Sequence, residues 1–303
     1  MAERFYRVPS IPVYEVKMKL SLRGLTFTLS LLLAPVAFSS VSHEIPYYGS
    51  EFYKNLDQGL KEQNLEIALH QILTADHIRH ANAPDEITAN CSGKDCYGHR
   101  TVGYSKAKQF VLGHFYLVNH AGGWAIRDVY CEKDFGSESF NGTEPGPNKI
   151  PDSTVVNVEH TWPQSKFTRK YPEDFQKADL HHLFPTDSQM NSTRSNLPFG
   201  EIGETKKDLK CPISRFGITT EGRELAFEPP TAHKGNVARA LFYFAVRYDM
   251  KIDATQETYL KKWHREDPVD AQEIARNEEI LALQGNRNPF IDHPELVDLI
   301  GDF

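Results

Sequence analysis

The chain has 303 residues, 40% of them hydrophobic and 25% charged, with a formal charge of −7 at neutral pH. This is the composition of an ordinary globular protein, and the length allows one large domain or two small ones. The acidic balance argues against a protein that coats nucleic acid, but not against an enzyme that binds it locally and leaves.

Residues 1–42 read as a secretory leader. From Met18 the sequence is MKLSLRGLTFTLSLLLAPVAFSSVS. Lys19 and Arg23 supply a positive start, Leu25 to Leu33 is mostly apolar, and Ser40-Val41-Ser42 fits a small-x-small cleavage site. The apolar run is too short for a membrane span, and Pro35 interrupts it. Residues 1–17 contain Glu3 and Glu15, unusual in such a leader, and are consistent with a true start at Met18. Without residues 1–42, which carry five Lys or Arg and two Asp or Glu, the formal charge moves from −7 to about −10. The domain is therefore expected over 43–303.

Tyr53 to Ile78 carries apolar residues at helical spacings, with Gly59 and Asn64 implying a break into two helices. Four cysteines follow through the chain: Cys91, Cys96, Cys131 and Cys211. An exported chain lives where disulfides persist, and four cysteines allow three pairings. Cys91 with Cys96, leaving Cys131 with Cys211, is the expected one; a four-cysteine zinc site is the rival. Lys106 to Tyr116 reads as a helix and Ile126 to Tyr130 as a strand, with Asp128 and Tyr130 structural. Phe135 to Pro151, rich in Gly, Ser, Asn and Pro, reads as a surface loop.

Val158 to Glu201 then gathers more chemistry than any other stretch. It begins VEHTWPQSKF and ends KADLHHLFPTDSQMNSTRSNLPFGE. Val155 to Val158 is β-branched and predicts a strand with Glu159 and His160 at its end. Pro163 would bend the chain there, letting neighbouring side chains serve one site. Leu180 to Phe184 predicts the returning strand of a hairpin, ended by Pro185. Thr186 or Asp187 would cap a helix from about Ser188. Asn191 and Arg194, three apart, would share a face of that helix. A carboxylate and an amide oxygen suit Mg²⁺. A neutral imidazole of ordinary pKa can take a proton from water near neutral pH, and arginine forks onto phosphate. Together these groups describe a phosphodiester hydrolase.

These residues also carry a resemblance. VEHTWPQSKF followed by DLHHLFPTDSQMNSTRSN resembles the endonuclease I family, bacterial periplasmic and secreted non-specific nucleases with a ββα-metal, or His-Me, finger. Tyr104 to Tyr130, Ala238 to Tyr248 and QGNRNPFIDHPE extend the likeness over most of the chain from about Tyr104. It implies an α+β fold with the finger embedded in a mostly helical single domain. It implies metal held by Glu159 and Asn191, with Mg²⁺ first and Mn²⁺ or Ca²⁺ as alternatives. It further implies His160 as general base, cleavage of DNA and perhaps of RNA leaving 5′-phosphates, and a periplasmic or secreted location. Some members carry a phosphate-contacting arginine in a longer segment between the two halves. Arg169 is one candidate replacement here and Arg194 the preferred one. Lys166, Arg169 and Lys170 are expected to contact substrate, within a wider basic set of Lys177, Lys206, Lys207, Lys210 and Arg215. Asp179 and His181 are expected behind the site, with Asp179 orienting His181 or capping the hairpin. A monomer without stable membrane association is expected. Two other readings compete: an exported, inactive binding protein on the same fold, and a zinc hydrolase using His160, His181 and His182.

Beyond the site, Cys211 to Phe227 reads as short strands and turns. Gly235 to Tyr248 is the clearest core helix, with Val237, Leu241, Phe244 and Tyr248 on one face. Tyr259 to Asp267 and Asp270 to Gln284 predict two further helices, split by Pro268, with Gly285 as a stop.

Overall fold

A computed structural model of the protein describes residues 44–120, 122–222 and 224–303. The expected leader lies outside the described residues. Two helices come first, α1 (Gly49–Asp57) and α2 (Glu62–Thr74). The break falls at Gly59, whose φ of 91° suits a residue with no side chain. Leu65, Leu69, Ile72 and Leu73 fill the buried face of α2. Helical spacing predicts continuation to Ile78, but β1 (Asp76–Ile78) is a strand. It pairs antiparallel with β2 (Glu86–Thr88) on one side and β3 (Cys96–Gly98) on the other. Ladder partners on both edges override the local helical pattern. The Cys91–Cys96 disulfide closes the loop beside β3, with Cα atoms 5.6 Å apart.

Helix α3 (Tyr104–Phe110) runs into a single π-helical turn, Val111–Phe115. Gly113 sits in that turn against the backbone of Lys149, where a Cβ would lie 2.5 Å from the carbonyl oxygen. A meander of β4 (Leu117–His120), β5 (Gly123–Arg127) and β6 (Asp134–Phe135) follows. β5 stops short of the expected Tyr130. Asp128 turns the chain instead, its carboxylate accepting the N–H groups of Tyr130 and Cys131.

A ribbon of two antiparallel strands, β7 (Val156–His160) and β8 (Leu183–Asp187), forms the centre, with the short helix α4 (Glu173–Lys177) in its connection. Leu180–His182 is a turn of 3-10 helix rather than the start of the strand. The strand also runs through Pro185 rather than ending there. Proline is tolerated because the ribbon has only two strands, so its missing N–H leaves no ladder bond unmade. Helix α5 (Ser188–Arg194) follows at once, capped by Asp187, whose Oδ1 accepts from Gln189 N and Met190 N. A second meander of β9 (Ile202–Thr205), β10 (Arg215–Thr219) and β11 (Leu225–Glu228) leads to the helical half. This comprises α6 (Lys234–Tyr248), α7 (Ala254–Glu266), α8 (Ala271–Gln284) and the single turn α9 (Pro289–Asp292). The fold is thus α+β, as expected.

The sequence marks one apolar face on α6. In the structure 13 of its 15 residues are buried, because elements pack against it on all sides. Its arginines are internal, not substrate contacts: Arg239 forks onto Glu273, and Arg247 meets His99 Nδ1 at 2.9 Å. Tyr243 and Tyr248 donate from α6 to one carboxylate oxygen of Asp179, at 2.8 and 2.9 Å. Gln284 of α8 donates to the other oxygen at 2.9 Å, as does the backbone N–H of His181 at 3.1 Å. Asp179 therefore pins the 3-10 turn ahead of β8 to two helices at once.

The side chains of His99, His181 and His182 surround Asp179. Burial outweighs its attraction and pushes them down to about 3, 4 and 4 respectively. The rings are therefore neutral in the fold and protonate more readily in the unfolded chain. Their contribution to stability is complete above about pH 6.5 and is lost as pH falls towards 4. Each should cost on the order of 1 kcal/mol per pH unit across that window. Thermal melts at constant ionic strength should show a falling transition temperature from pH 6.5 to 4.5. A flat profile would show that the rings are not held neutral.

Candidate functional site

The end of β7, the turn at Pro163 and helix α5 enclose a cleft of about 360 Å³. Glu159, His160, Gln164, Asn191, Arg194 and Asn196 are among its lining. Adjacent residues of a strand point to opposite faces. Both Glu159 and His160 reach this cleft because the strand ends at His160 and the chain bends at Pro163, as the sequence implies.

Glu159 is 1% exposed. Its Oε1 accepts from Tyr130 Oη at 3.0 Å and pairs with Arg194 Nη1 at 2.9 Å. Its Oε2 has no hydrogen-bond partner among the described residues and is free to meet a ligand in the cleft. Burial pushes the carboxyl up to about 7, although Arg194 and the Tyr130 hydroxyl pull the other way. Asn191 is held in a complementary manner. Its Nδ2 donates to Asn157 Oδ1 at 2.6 Å and to Val158 O at 3.3 Å, which leaves Oδ1 uncommitted. One carboxylate oxygen and one amide oxygen, each on a side chain fixed by its other atom, form a hard donor pair that fits a divalent cation.

His160 is 6% exposed. Its Nε2 lies 3.1 Å from the carbonyl oxygen of Lys177, which can only accept, so Nε2 carries the proton and Nδ1 the lone pair. Gln164 Nε2 donates to Nδ1 at 3.3 Å. The rings of Tyr104, Phe167 and His182 pack around the imidazole. The ordinary pKa expected of this residue is not kept. Burial, then His182, pushes it down to about 3 despite the Lys177 carbonyl. The imidazole is neutral and able to accept a proton at any working pH, but it gains charge readily only when an anion enters beside it.

Arg194 requires a correction. It was expected to face a phosphate, yet it is 2% exposed and turned inward. Besides Glu159, Nη1 donates to His160 O at 2.9 Å and Nη2 to Thr161 O at 2.5 Å. Helical spacing gives the face of α5 but not its surroundings, and this face packs onto β7. Of the expected substrate contacts, Lys166 and Arg169 are exposed and lack an ion-pair partner among the described residues. Lys170 instead pairs with Asp249 at 2.5 Å. Lys206, Lys210 and Arg215 are also engaged, with Glu204, Asp187 and Glu228 respectively. Three of the five residues of the wider basic set are thus neutralised within the chain, while Lys177 and Lys207 have no ion-pair partner among the described residues.

Asp179 accepts the backbone N–H of His181 and makes no hydrogen bond to its ring, so of its two expected roles its contacts show the cap. His181 is buried with its Nε2 towards Asn286 O, and His182 Nε2 meets Gln176 O at 2.8 Å. The rings of His160, His181 and His182 thus serve three different carbonyls and do not converge as zinc ligands would. Among the described residues the one cluster with metal-ligand spacing is Asp76 with Cys91 and Cys96, and those cysteines are bonded to each other. Cys131 pairs with Cys211, as expected. This bridge joins the Asp128 turn to the segment carrying Lys210, whose Nζ reaches Asp187, the cap of α5, at 2.9 Å.

Local spacing does not identify Tyr130, Asn157 or Gln164 as site residues. Gln164 lies inside VEHTWPQSKF and Asn157 directly before it, so both could be found from the motif. Tyr130 reaches Glu159 from 29 residues upstream, with no local sign.

Residues 118–295 match the family described as Endonuclease I. The chain is 40% identical over 165 residues to an extracellular ribonuclease of Bacillus subtilis, covering 48% of this chain and 53% of that protein. It is 33% identical over 118 residues to an extracellular deoxyribonuclease of Aeromonas hydrophila, covering 38% and 49%. An Endonuclease-1 of Buchnera aphidicola is 28% identical over 115 residues, covering 38% and 46%. The chain spans about half the length of the curated relatives it matches.

The inward turn of Arg194 sets a test. Arg194→Ala would leave Glu159 and two backbone carbonyls without their partner, and should cost about 3–5 kcal/mol in urea unfolding. Arg194→Lys should recover little of it, because an ammonium cannot span the three acceptors. Unchanged stability in both variants would return Arg194 to the surface role first expected of it.

Proposed function

The chain belongs to the Endonuclease I family, and on that premise we propose that it is a metal-dependent nuclease hydrolysing phosphodiester bonds of DNA, and of RNA as well. The observation that carries the proposal is the arrangement of three acceptor atoms on one cleft: Glu159 Oε2 and Asn191 Oδ1, both without a partner among the described residues, and His160 Nδ1, met only by the Gln164 amide. The hairpin of β7 and β8 with α5 behind it is consistent with a His-Me finger. The relatives named as ribonuclease and deoxyribonuclease support both substrates.

Glu159 and Asn191 would hold a hard divalent ion, Mg²⁺ first, with Mn²⁺ or Ca²⁺ as alternatives. Bound there, it would neutralise charge on the phosphate and on the departing 3′ oxygen, leaving a 5′-phosphate. His160 takes the proton of the attacking water on Nδ1. Its Nε2–H bond to Lys177 O fixes the ring plane and spreads the charge that arrives. The phosphate supplies the negative charge that makes this ring a stronger base than it is in the free protein. Gln164 must release Nδ1 when water enters, and its amide stays within reach of that water. Lys166 and Arg169 would be open cations on the approach. Phosphate contacts carry no sequence information, in keeping with a broad substrate range. The extracellular relatives and two disulfides support export to the periplasm or beyond, with residues 1–42 as the leader.

Plasmid nicking by the oxidised protein from His43 onward should stop with EDTA and return with Mg²⁺; a structured RNA should be cut under the same conditions. His160→Ala should lose about 10²–10⁴-fold in rate while keeping its fold, and full activity in that variant would remove the base assignment. Glu159→Ala and Asn191→Ala should need more Mg²⁺ for half-maximal rate, whereas unchanged titrations in both would remove them as ligands. Silence on both substrates from folded protein would favour the binding-protein reading.

A further inference from the structure

A second cavity, of about 330 Å³, adjoins the catalytic cleft and shares Pro163 and Arg194 with it. Its volume lies at the lower end of ligand pockets. Trp162, Leu197, Pro198 and Leu241 give it apolar walls; Lys166, Glu224 and Asp253 bring charge to it, as does Lys251, which pairs with Asp302 outside it. Arg194 and Lys251 are engaged elsewhere, which leaves two carboxylates against Lys166 and disfavours a phosphate, while the apolar walls suit an aromatic ring.

Glu224 is the group there without a task. Its Oε1 is shielded from solvent and has no hydrogen-bond partner among the described residues. An unpaired buried acceptor costs free energy that a donor on a ligand would recover. Burial and the neighbouring Asp253 push Glu224 up, with Lys166 opposing, which indicates that the three groups act on the same space. The terminal torsion of a glutamate is soft, so a small rotation would present both oxygens to the cavity.

We infer that this cavity is a nucleobase subsite beside the scissile phosphate, with Glu224 accepting from the Watson–Crick edge of guanine. This rests on the nuclease reading for the position of the phosphate. Guanine alone offers two adjacent donors on that edge, N1–H and N2–H, to match the two oxygens of a carboxylate. Adenine and cytosine set an acceptor beside their amino group, and uracil and thymine flank one N–H with two carbonyls. In each of these a lone pair would face the carboxylate. The base must be unpaired to enter, so single strands and frayed ends fit the site better than intact duplex. The subsite would give a cleft that is otherwise blind to sequence a mild preference for guanine next to the cut.

The test is calorimetric titration of the oxidised protein, in EDTA, with the 5′-monophosphates of guanosine, adenosine, cytidine and uridine. Guanosine monophosphate should bind at least about tenfold more tightly than the others, at the low end of what a paired base-edge contact contributes. Glu224→Gln should erase that difference by replacing one acceptor oxygen with a donor. Leu197→Trp should erase it independently by filling the cavity. Equal binding of the four nucleotides, or a guanine preference that survives both substitutions, overturns the subsite. Plasmid nicking by the same preparations reads the nuclease proposal separately. Nicking without guanine preference would sink the subsite alone, and guanine preference without nicking would sink the nuclease reading alone.

Discussion

The site depends on a carboxylate taken out of water. A glutamate at 1% exposure is costly unless charge and hydrogen bonds meet it, and the elements around β7 supply them from opposite directions. Arg194 comes from α5, which starts where it does because Asp187 caps it. Tyr130 comes from the turn that Asp128 makes after β5, and the same Asp128 carboxylate accepts the N–H of Asp187. One buried aspartate thus fixes both the hydroxyl and the helix cap that serve Glu159. The Cys131–Cys211 bridge and the Lys210–Asp187 pair close the arrangement from outside. With Oε1 doubly engaged, the open Oε2 points where the surrounding elements require, and it cannot swing away.

Behind β7 and β8 lies a second buried carboxylate with a different solution. Asp179 is surrounded by hydroxyl, amide and backbone donors and by neutral imidazoles. The segment QGNRNPF completes this side. Asn286 donates to the Tyr243 hydroxyl and Asn288 to the carbonyl of Arg239, so the C-terminal stretch is tied to α6 rather than to substrate. The His181-His182 pair, which invites a zinc reading when seen in sequence, belongs to this scaffold. The two sides of the ribbon divide the labour: one presents oxygens and an imidazole nitrogen to a cleft, the other ties its carboxylate to two helices.

What could be read from the sequence follows from how far each cause acts. The Glu159-His160 strand end, the Pro163 bend, the Asp187 cap and the placing of Asn191 on a helix come from contacts within a few residues. So does the pairing of Cys91 with Cys96. The inward turn of Arg194 is not legible, because spacing gives a face of α5 but not what that face meets. The all-round burial of α6 and the strand after α2 were missed for the same reason, since both depend on partners distant in sequence. Tyr130 could not be found at all, as nothing in IRDVY distinguishes a hydroxyl that supports a glutamate from one that merely packs. The depressed basicity of His160 also comes from the fold, through burial among the rings of Tyr104, Phe167 and His182 that only the assembled core brings together.

An acidic chain that acts on a polyanion must keep its own charge out of the way. Here Glu159 is buried and paired with Arg194, and Lys206, Lys210 and Arg215 of the wider basic set are paired within the chain. Lys166, Arg169, Lys177 and Lys207 have no ion-pair partner among the described residues and would be left to draw a phosphate in. A nuclease gains nothing by gripping its product, because every counterion released on binding must be recovered on release. On the proposed nuclease reading, local attraction set in a repulsive whole would let a strand be held at one phosphate and let go after cleavage. The same reasoning explains why specificity, where this chain has any, should come from a pocket beside the cleft. A surface that touches so few phosphates leaves little to outweigh one base contact.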